Sequence, residues 1–319
     1  MGQPEISVII PVHNEQAVLP TLFERLFPVL DGLNTPYEVI FVNDGSQDDS
    51  FNLLQQQYQH RSDVVQVVDF NRNFGQHMAI MAGFEHSSGH WVVTMDADLQ
   101  NYPEDIPKLL DKARQGHDVV GGYRLNRQDQ KWRLFVSKMH NSLRKKLTGI
   151  DMEDEGCMLR VYRRDIVEQM VNCEENSTFL PALAHSFAAS PVDVGVRHAA
   201  RQEGTSSYNL YKLIRYNFDF FANFSKAPLE FFTFSGLIVA FLSFCLFLYL
   251  FVKRIAFGPD ADGIFTLFAV AYFLIGILLM GLGIVGEYIG RIYEAVRQRP
   301  RYIVRQRLQR QDLQDNQKE

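Results

Sequence analysis

Short continuous apolar runs recur through the first 122 residues, at 6–12, 37–43, 64–70, 91–95 and 118–122. Their continuity, rather than a polar–apolar alternation, marks strands covered on both faces. Between several of them the apolar positions return at helical spacing, over 17–30, 50–58 and 103–113. Strands alternating with helices predict an α/β domain with a mostly parallel sheet and helices on both faces. In such sheets ligands bind beyond the carboxyl ends of the strands, so the residues just after each run are the ones to inspect.

The pattern changes after residue 230. Residues 231–252 and 264–286 contain no formal charge over 22 and 23 positions. At 1.5 Å per residue each reaches about 33 Å, against a hydrocarbon core of about 30 Å. The 11-residue loop between them, KRIAFGPDADG, carries Gly-Pro and Gly as helix stops. A two-helix transmembrane hairpin is predicted; the alternative, a pair of buried core helices, is disfavoured because globular helices rarely run this long without a polar face. Upstream, Leu210, Leu213, Ile214 and Phe218 recur at helical spacing among Lys212, Arg215 and Asp219, the pattern of an amphipathic interfacial helix, with packing on the soluble domain as the alternative.

Charge orients this hairpin. Residues 1–290 carry a net −9 and residues 291–319 a net +4, with seven Arg and one Glu in 291–310. The positive-inside rule places that tail in the cytoplasm, and an even number of spans returns the N-terminal domain to the same side. The arginines read as contacts to anionic headgroups, or as a solvated tail. The expected organisation is a cytoplasmic domain over 1–204, an interfacial segment over 205–228, two spans within 229–290 and a basic tail over 291–319. A net charge of −5 without a basic stripe argues against nucleic acid as a partner. Cys157, Cys173 and Cys245 show no CxxC pairing, which fits a reducing compartment, and no secretory signal or myristoylation motif is read at the N-terminus.

The strand ends carry the chemistry. The first closes in Pro11-Val12-His13-Asn14-Glu15, the second in Asn43-Asp44-Gly45-Ser46, the fourth in Asp96-Ala97-Asp98-Leu99-Gln100. A single Asp after a strand is usually a turn or N-cap residue. Asp96 and Asp98 differ, because alternate residues of extended chain point to one face. Two carboxylates so placed repel unless a cation lies between them or one is protonated. A divalent metal with phosphates completing its shell is the simplest answer.

The order SVIIPVHNE, FVNDGSQDDS, VVTMDADLQ, followed by two apolar spans, resembles the family-2 glycosyltransferases of GT-A fold, and among them the polyprenyl-phosphate glycosyltransferases. NRNFGQHMAIMAGF (71–84), MDADLQN (95–101) and GCMLRVYRRDIV (156–167) sharpen the resemblance toward enzymes acting on undecaprenyl phosphate. It implies a membrane-anchored, inverting, Mg2+- or Mn2+-dependent transfer from a UDP-sugar to that lipid. The implied sugar is 4-deoxy-4-formamido-L-arabinose or a relative, for lipid A or another envelope glycan; glucosyl, mannosyl or amino-sugar transfer is the alternative. The implied setting is the bacterial inner membrane, as a homo-oligomer, and Gly281, Gly283, Gly286 and Gly290 offer a small-residue packing face.

By the same resemblance Pro11, His13, Glu15, Asp44, Asp96 and Ala97 contact the nucleotide. Asp96, Asp98 and Gln100 hold the metal, Arg124 lies near the diphosphate, and Arg133, Ser137 and Arg201 grip the lipid phosphate, Arg201 also closing on the reacting groups. Asp98, Arg124, Asp154 and Arg201 form the implied catalytic set. Asp154 reads either as an acid near the acceptor or as a turn residue in the acidic run 151–155, and Arg124, Arg133 and Ser137 have solvated-surface readings. His13 and His77 read as hydrogen-bonding residues rather than bases. Two rivals remain. A processive polysaccharide synthase would carry QxxRW, which neither Trp91 nor Trp132 completes; a non-catalytic scaffold would have lost the Asp pair, which is intact.

Overall fold

The structure, a computed structural model, describes residues 3–125, 152–154, 156–173, 179–199, 227–257, 263–297 and 300–309. Its contacts divide the chain into two compact bodies, one of residues 1–145, 149–207 and 299–319 and one of 146–148 and 208–298.

The first body is built on one eight-stranded sheet. Its strands are β1 (Ile6–Val12), β2 (Tyr37–Asn43), β3 (Val65–Phe70), β4 (Trp91–Thr94), β5 (Val119–Arg124), β6 (Arg160–Arg163), β7 (Pro191–Val196) and β8 (Val304–Leu308), in the order β7-β5-β6-β4-β1-β2-β3-β8. Only β6 and β8 pair antiparallel to their neighbours, so six strands present their carboxyl ends to one rim. Helices α1 (Leu19–Asp31), α2 (Ser50–His60), α3 (Gln76–His86), α4 (Ile106–Arg114), α5 (Arg164–Asn172) and α6 (Leu180–Phe187) cover it.

Period-two alternation divides the core between the two faces. Val39 and Phe41 of β2 join Leu22, Leu26, Leu54 and Leu109 from α1, α2 and α4. Ile40 and Val42, one position along, meet Ala79 and Ala82 of α3 on the other face, and Ile9 of β1 packs there with Ile80, Phe84, Ile166 and Leu183. This double coverage is what the continuous apolar runs predict. The predicted helix over 103–113 is a 3-10 turn, Pro103–Asp105, followed by α4, because Pro103 and Pro107 restrict that start.

Within the basic tail expected over 291–319, Val304–Leu308 is a strand: it pairs antiparallel with β3 and closes that edge of the sheet, with residues 304–306 still exposed. Unpaired edges invite other chains, and covering one is a common remedy.

The second body contains two long helices, α7 (Ala227–Phe257) and α8 (Ile264–Val296). Among the described residues Val270–Gly290 is long and apolar enough to cross a membrane, and its most apolar window is mostly exposed, unlike that of a buried core helix. The apolar stretch of α7, Phe232–Leu246, is shorter. A Cβ on Gly281 would fall 1.9 Å from Phe232 Cζ, so this glycine serves packing between α7 and α8. The expected interfacial helix lies outside the described residues.

Candidate active site

The first two strand ends are knitted together by hydrogen bonds. Asp44 N donates to Val12 O at 2.8 Å, and His13 Nδ1 lies 2.8 Å from Asp44 O. Asn14, in the left-handed region at φ 56°, donates its N–H to Ser46 Oγ at 3.0 Å and accepts Gln47 N–H on Oδ1 at 2.8 Å. Glu15 N donates to Ser50 Oγ at the start of α2. The Asp44 carboxylate is buried and accepts the N–H groups of Phe74 at 2.6 Å and Gly75 at 2.9 Å. Gly45 makes this approach possible: at φ 63°, a Cβ there would fall 2.3 Å from the Arg72 carbonyl carbon.

The β4 end is different. Burial, then the Asp98 charge, push the Asp96 carboxyl up to about 7; the Gln76 amide, which donates to Asp96 Oδ1, opposes the rise, and Glu15 adds to it. Asp98 Oδ1 accepts Gln100 N–H at 3.1 Å, and Leu99 between them is held at φ 60°, a strained value for a bulky residue. Ala97 is buried, so it offers a ligand only its backbone. The turn is tied to the segment after β7: Ala199 N donates to Gln100 O at 3.0 Å, Asn101 and His198 form an isolated bridge, and Arg197 grips Asp105 through N, Nε and Nη2.

Across the rim, Arg124 closes β5 and donates through N, Nε and Nη2 to the Asp154 carboxylate at 3.2, 2.6 and 2.9 Å. Burial works to raise the Asp154 carboxyl, but the guanidinium, with the Arg124 and Gly156 N–H groups, outweighs it and holds the group below the usual carboxylate range. Asp154 is thus an orienting partner for Arg124, not merely a turn residue.

The sequence profile of glycosyl transferase family 2 matches residues 7–171, which contain the Asp44 turn, the Asp96–Asp98 turn and the Arg124–Asp154 pair. The chain belongs to that family. Family 2 relatives run nearly its full length. Undecaprenyl-phosphate 4-deoxy-4-formamido-L-arabinose transferase of Klebsiella pneumoniae (strain 342) is 48% identical over 309 residues, covering 96% of this chain and 94% of that protein. The proteins of that name from Yersinia enterocolitica (45% over 315 residues, 98% and 96%) and Aeromonas hydrophila (46% over 303, 94% and 93%) are similar. Among solved structures, glucosyl-3-phosphoglycerate synthase from Mycobacterium tuberculosis with Mn2+ and UDP-glucose is 20% identical with a TM-score of 0.46, covering 67% of this chain and 75% of that one.

Within this family 2 domain the rim brings together His13, Glu15, Asp44, Asp96, Asp98, Gln100, Arg124 and Asp154. Arg133, Ser137 and Arg201 lie outside the described residues. His77 is half-buried, edge-on to Phe179 at 5.7 Å, with its titration lowered by desolvation. Sequence reasoning missed His198. Its buried Nδ1 has no hydrogen-bond partner, and burial, then the Arg124 charge, lower its titration, with Asp98 and Asp154 opposing. The available signal was its place three residues before Arg201, in RHAAR.

The donor set fits a hard divalent cation: two carboxylates on one turn, one of them pushed toward protonation by desolvation and then by the charge of the other. Among the described residues no three His, Cys, Asp or Glu side chains converge on one point, so phosphate oxygens and water would complete the shell, as Mg2+ and Mn2+ sites on nucleotides commonly require.

Proposed function

We propose that this protein transfers 4-deoxy-4-formamido-L-arabinose from its UDP-sugar to undecaprenyl phosphate with inversion, releasing UDP, in the service of lipid A modification. The observation that carries the reading is 45–48% identity, over nearly the whole chain, to transferases of that name. The rim supports it chemically. The acceptor phosphate is already anionic at neutral pH and needs positioning rather than a base, which suits a Asp154 carboxylate engaged by Arg124. Asp96 and Asp98, with Gln100 beside them, would hold Mg2+ or Mn2+, which supplies charge neutralisation at the diphosphate. Arg124, held in place by Asp154, presents a fixed positive charge to the leaving group as its charge develops. Pro11, His13, Glu15 and the Asp44 turn take the nucleotide. Arg133 and Ser137 take the lipid phosphate, and Arg201 closes on both anions.

The apolar helices hold the catalytic body at the cytoplasmic face of the bacterial inner membrane with both termini inside; a reporter fused after residue 319 should be active in the cytoplasm, and activity outside would overturn that orientation. The deciding experiment is incubation of purified protein with undecaprenyl phosphate and a panel of UDP-sugars, with the lipid product identified by mass. The formamido-arabinosyl lipid should dominate. Another sugar in the product overturns the donor assignment, and no lipid product overturns the reaction.

A further inference from the structure

Asp69, at the end of β3, carries a carboxylate with no exposed surface. A buried charge of this kind needs a partner. Arg305 supplies it, placing Nε 2.6 Å and Nη2 2.6 Å from Asp69 Oδ2. Arg305 arrives from β8, 236 residues further along the chain. The register explains how it reaches: Asp69 faces Gln306 and Phe70 faces Val304, so Arg305 is the extra residue of a β-bulge. Bulges re-aim a side chain that regular alternation would turn away.

The other carboxylate oxygen leads toward the donor turn. Asn43 Nδ2 donates to Asp69 Oδ1 at 2.7 Å, which fixes that amide with its oxygen facing the opposite way. Ser46 Oγ donates to Asn43 Oδ1 at 2.5 Å, and Ser46 Oγ in turn accepts Asn14 N–H at 3.0 Å. Every donor in this chain of bonds points toward Asp69. Its far end is Asn14, held in a left-handed conformation between His13 and Glu15.

We propose that Arg305 is a positioning residue for the nucleotide-donor turn: by neutralising Asp69 it orients Asn43, and through Asn43 and Ser46 it holds the Asn14 backbone. This rests on the donor reading given above, and it assigns part of the donor half to a segment that follows the apolar helices.

The test compares full-length wild type with Arg305→Ala, Arg305→Lys and Arg305→Gln, using Arg307→Ala, whose side chain donates to Gln66 Oε1, as the neighbouring control. Hydrogen exchange and UDP binding in the presence of Mn2+ are both read. In Arg305→Ala the Asn14 and Gln47 amides should exchange about 10-fold faster and UDP should bind about 10-fold more weakly, the scale of one lost charged hydrogen bond, while the KM for undecaprenyl phosphate stays unchanged. Arg305→Lys should recover part of both effects, and Arg307→Ala should move neither. If Arg305→Ala does not fold, Lys and Gln carry the test, with Gln the weaker UDP binder. Unchanged exchange at Asn14, or unchanged UDP affinity, in a folded Arg305 variant overturns the proposal. Wild type that binds no UDP overturns the donor reading and this inference with it, a result distinct from selective loss in the variants.

Discussion

Strands β2 and β4 flank β1, and each ends in a turn that carries a carboxylate, Asp44 buried and Asp96 half-buried. Asp44 meets two backbone N–H groups and pins the 71–75 loop onto its own turn. Asp96 meets one side-chain amide and, beyond it, the negative charges of Asp98 and Glu15. The first carboxylate is met by backbone donors; at the second, desolvation and then the Asp98 charge push toward protonation. Two similar letters in the sequence therefore do different work, one shaping the rim and the other awaiting a ligand. Arg124–Asp154 stands between these cases: a satisfied pair whose cation still faces the site.

The largest separation should come from Asp98→Asn. Removing one charge from the cation's donor set should lower kcat by about 10³-fold, with Tm unchanged or raised because repulsion on Asp96 is relieved. Steady-state kinetics with a thermal-shift control decides it; full activity in this variant, or in EDTA, ends the metal assignment. Arg124→Ala should cost less, about 10- to 150-fold and chiefly in kcat, since a charged hydrogen bond is worth roughly 1.5–3 kcal/mol. It should also lower Tm, because Asp154 is left buried without its counter-charge. On the acceptor role proposed for Arg133, Arg133→Ala should raise the KM for undecaprenyl phosphate by about 10-fold and leave UDP affinity alone, with Lys rescuing only in part. Asp44→Asn should show the smallest loss of kcat, less than about 5-fold, yet destabilise by about 1–2 kcal/mol, or roughly 2–8 °C in Tm, as one charged acceptor for the 74–75 amides is lost. An Asp44 variant with wild-type Tm and dead chemistry would reverse the distinction drawn between the two carboxylates.

The strands of the parallel core were legible because each is covered on both faces and so reads as an unbroken apolar run; β1 and β2 fall at the predicted boundaries. Strands β6 and β8 were not. RVYR and VRQRL hold arginines whose partners are distant: Arg160 donates to the carbonyls of Cys157 and Asp154 inside the body, and Arg305 reaches Asp69. Neither pattern announces a strand, because the compensating charge or carbonyl comes from tertiary structure. The same holds in the site. Spacing alone identified Asp96 and Asp98 as a pair, whereas nothing local distinguished the satisfied Asp44 from them, or showed that Asp154 would hold Arg124. His198 was hidden because a lone histidine acquires meaning only from the charges the fold sets around it.

The closing strand β8 also sets an order of manufacture. Strand β3 leaves the ribosome with one edge unpaired and Asp69 without its arginine, and both α7 and α8 must be synthesised before Val304–Leu308 can dock. At about 5–20 residues per second that interval is roughly 12–48 s, long enough for the apolar helices to meet a bilayer first. The nascent sheet therefore stays incomplete until both long helices have been made, and a chain stalled before residue 304 leaves that edge of β3 unpaired.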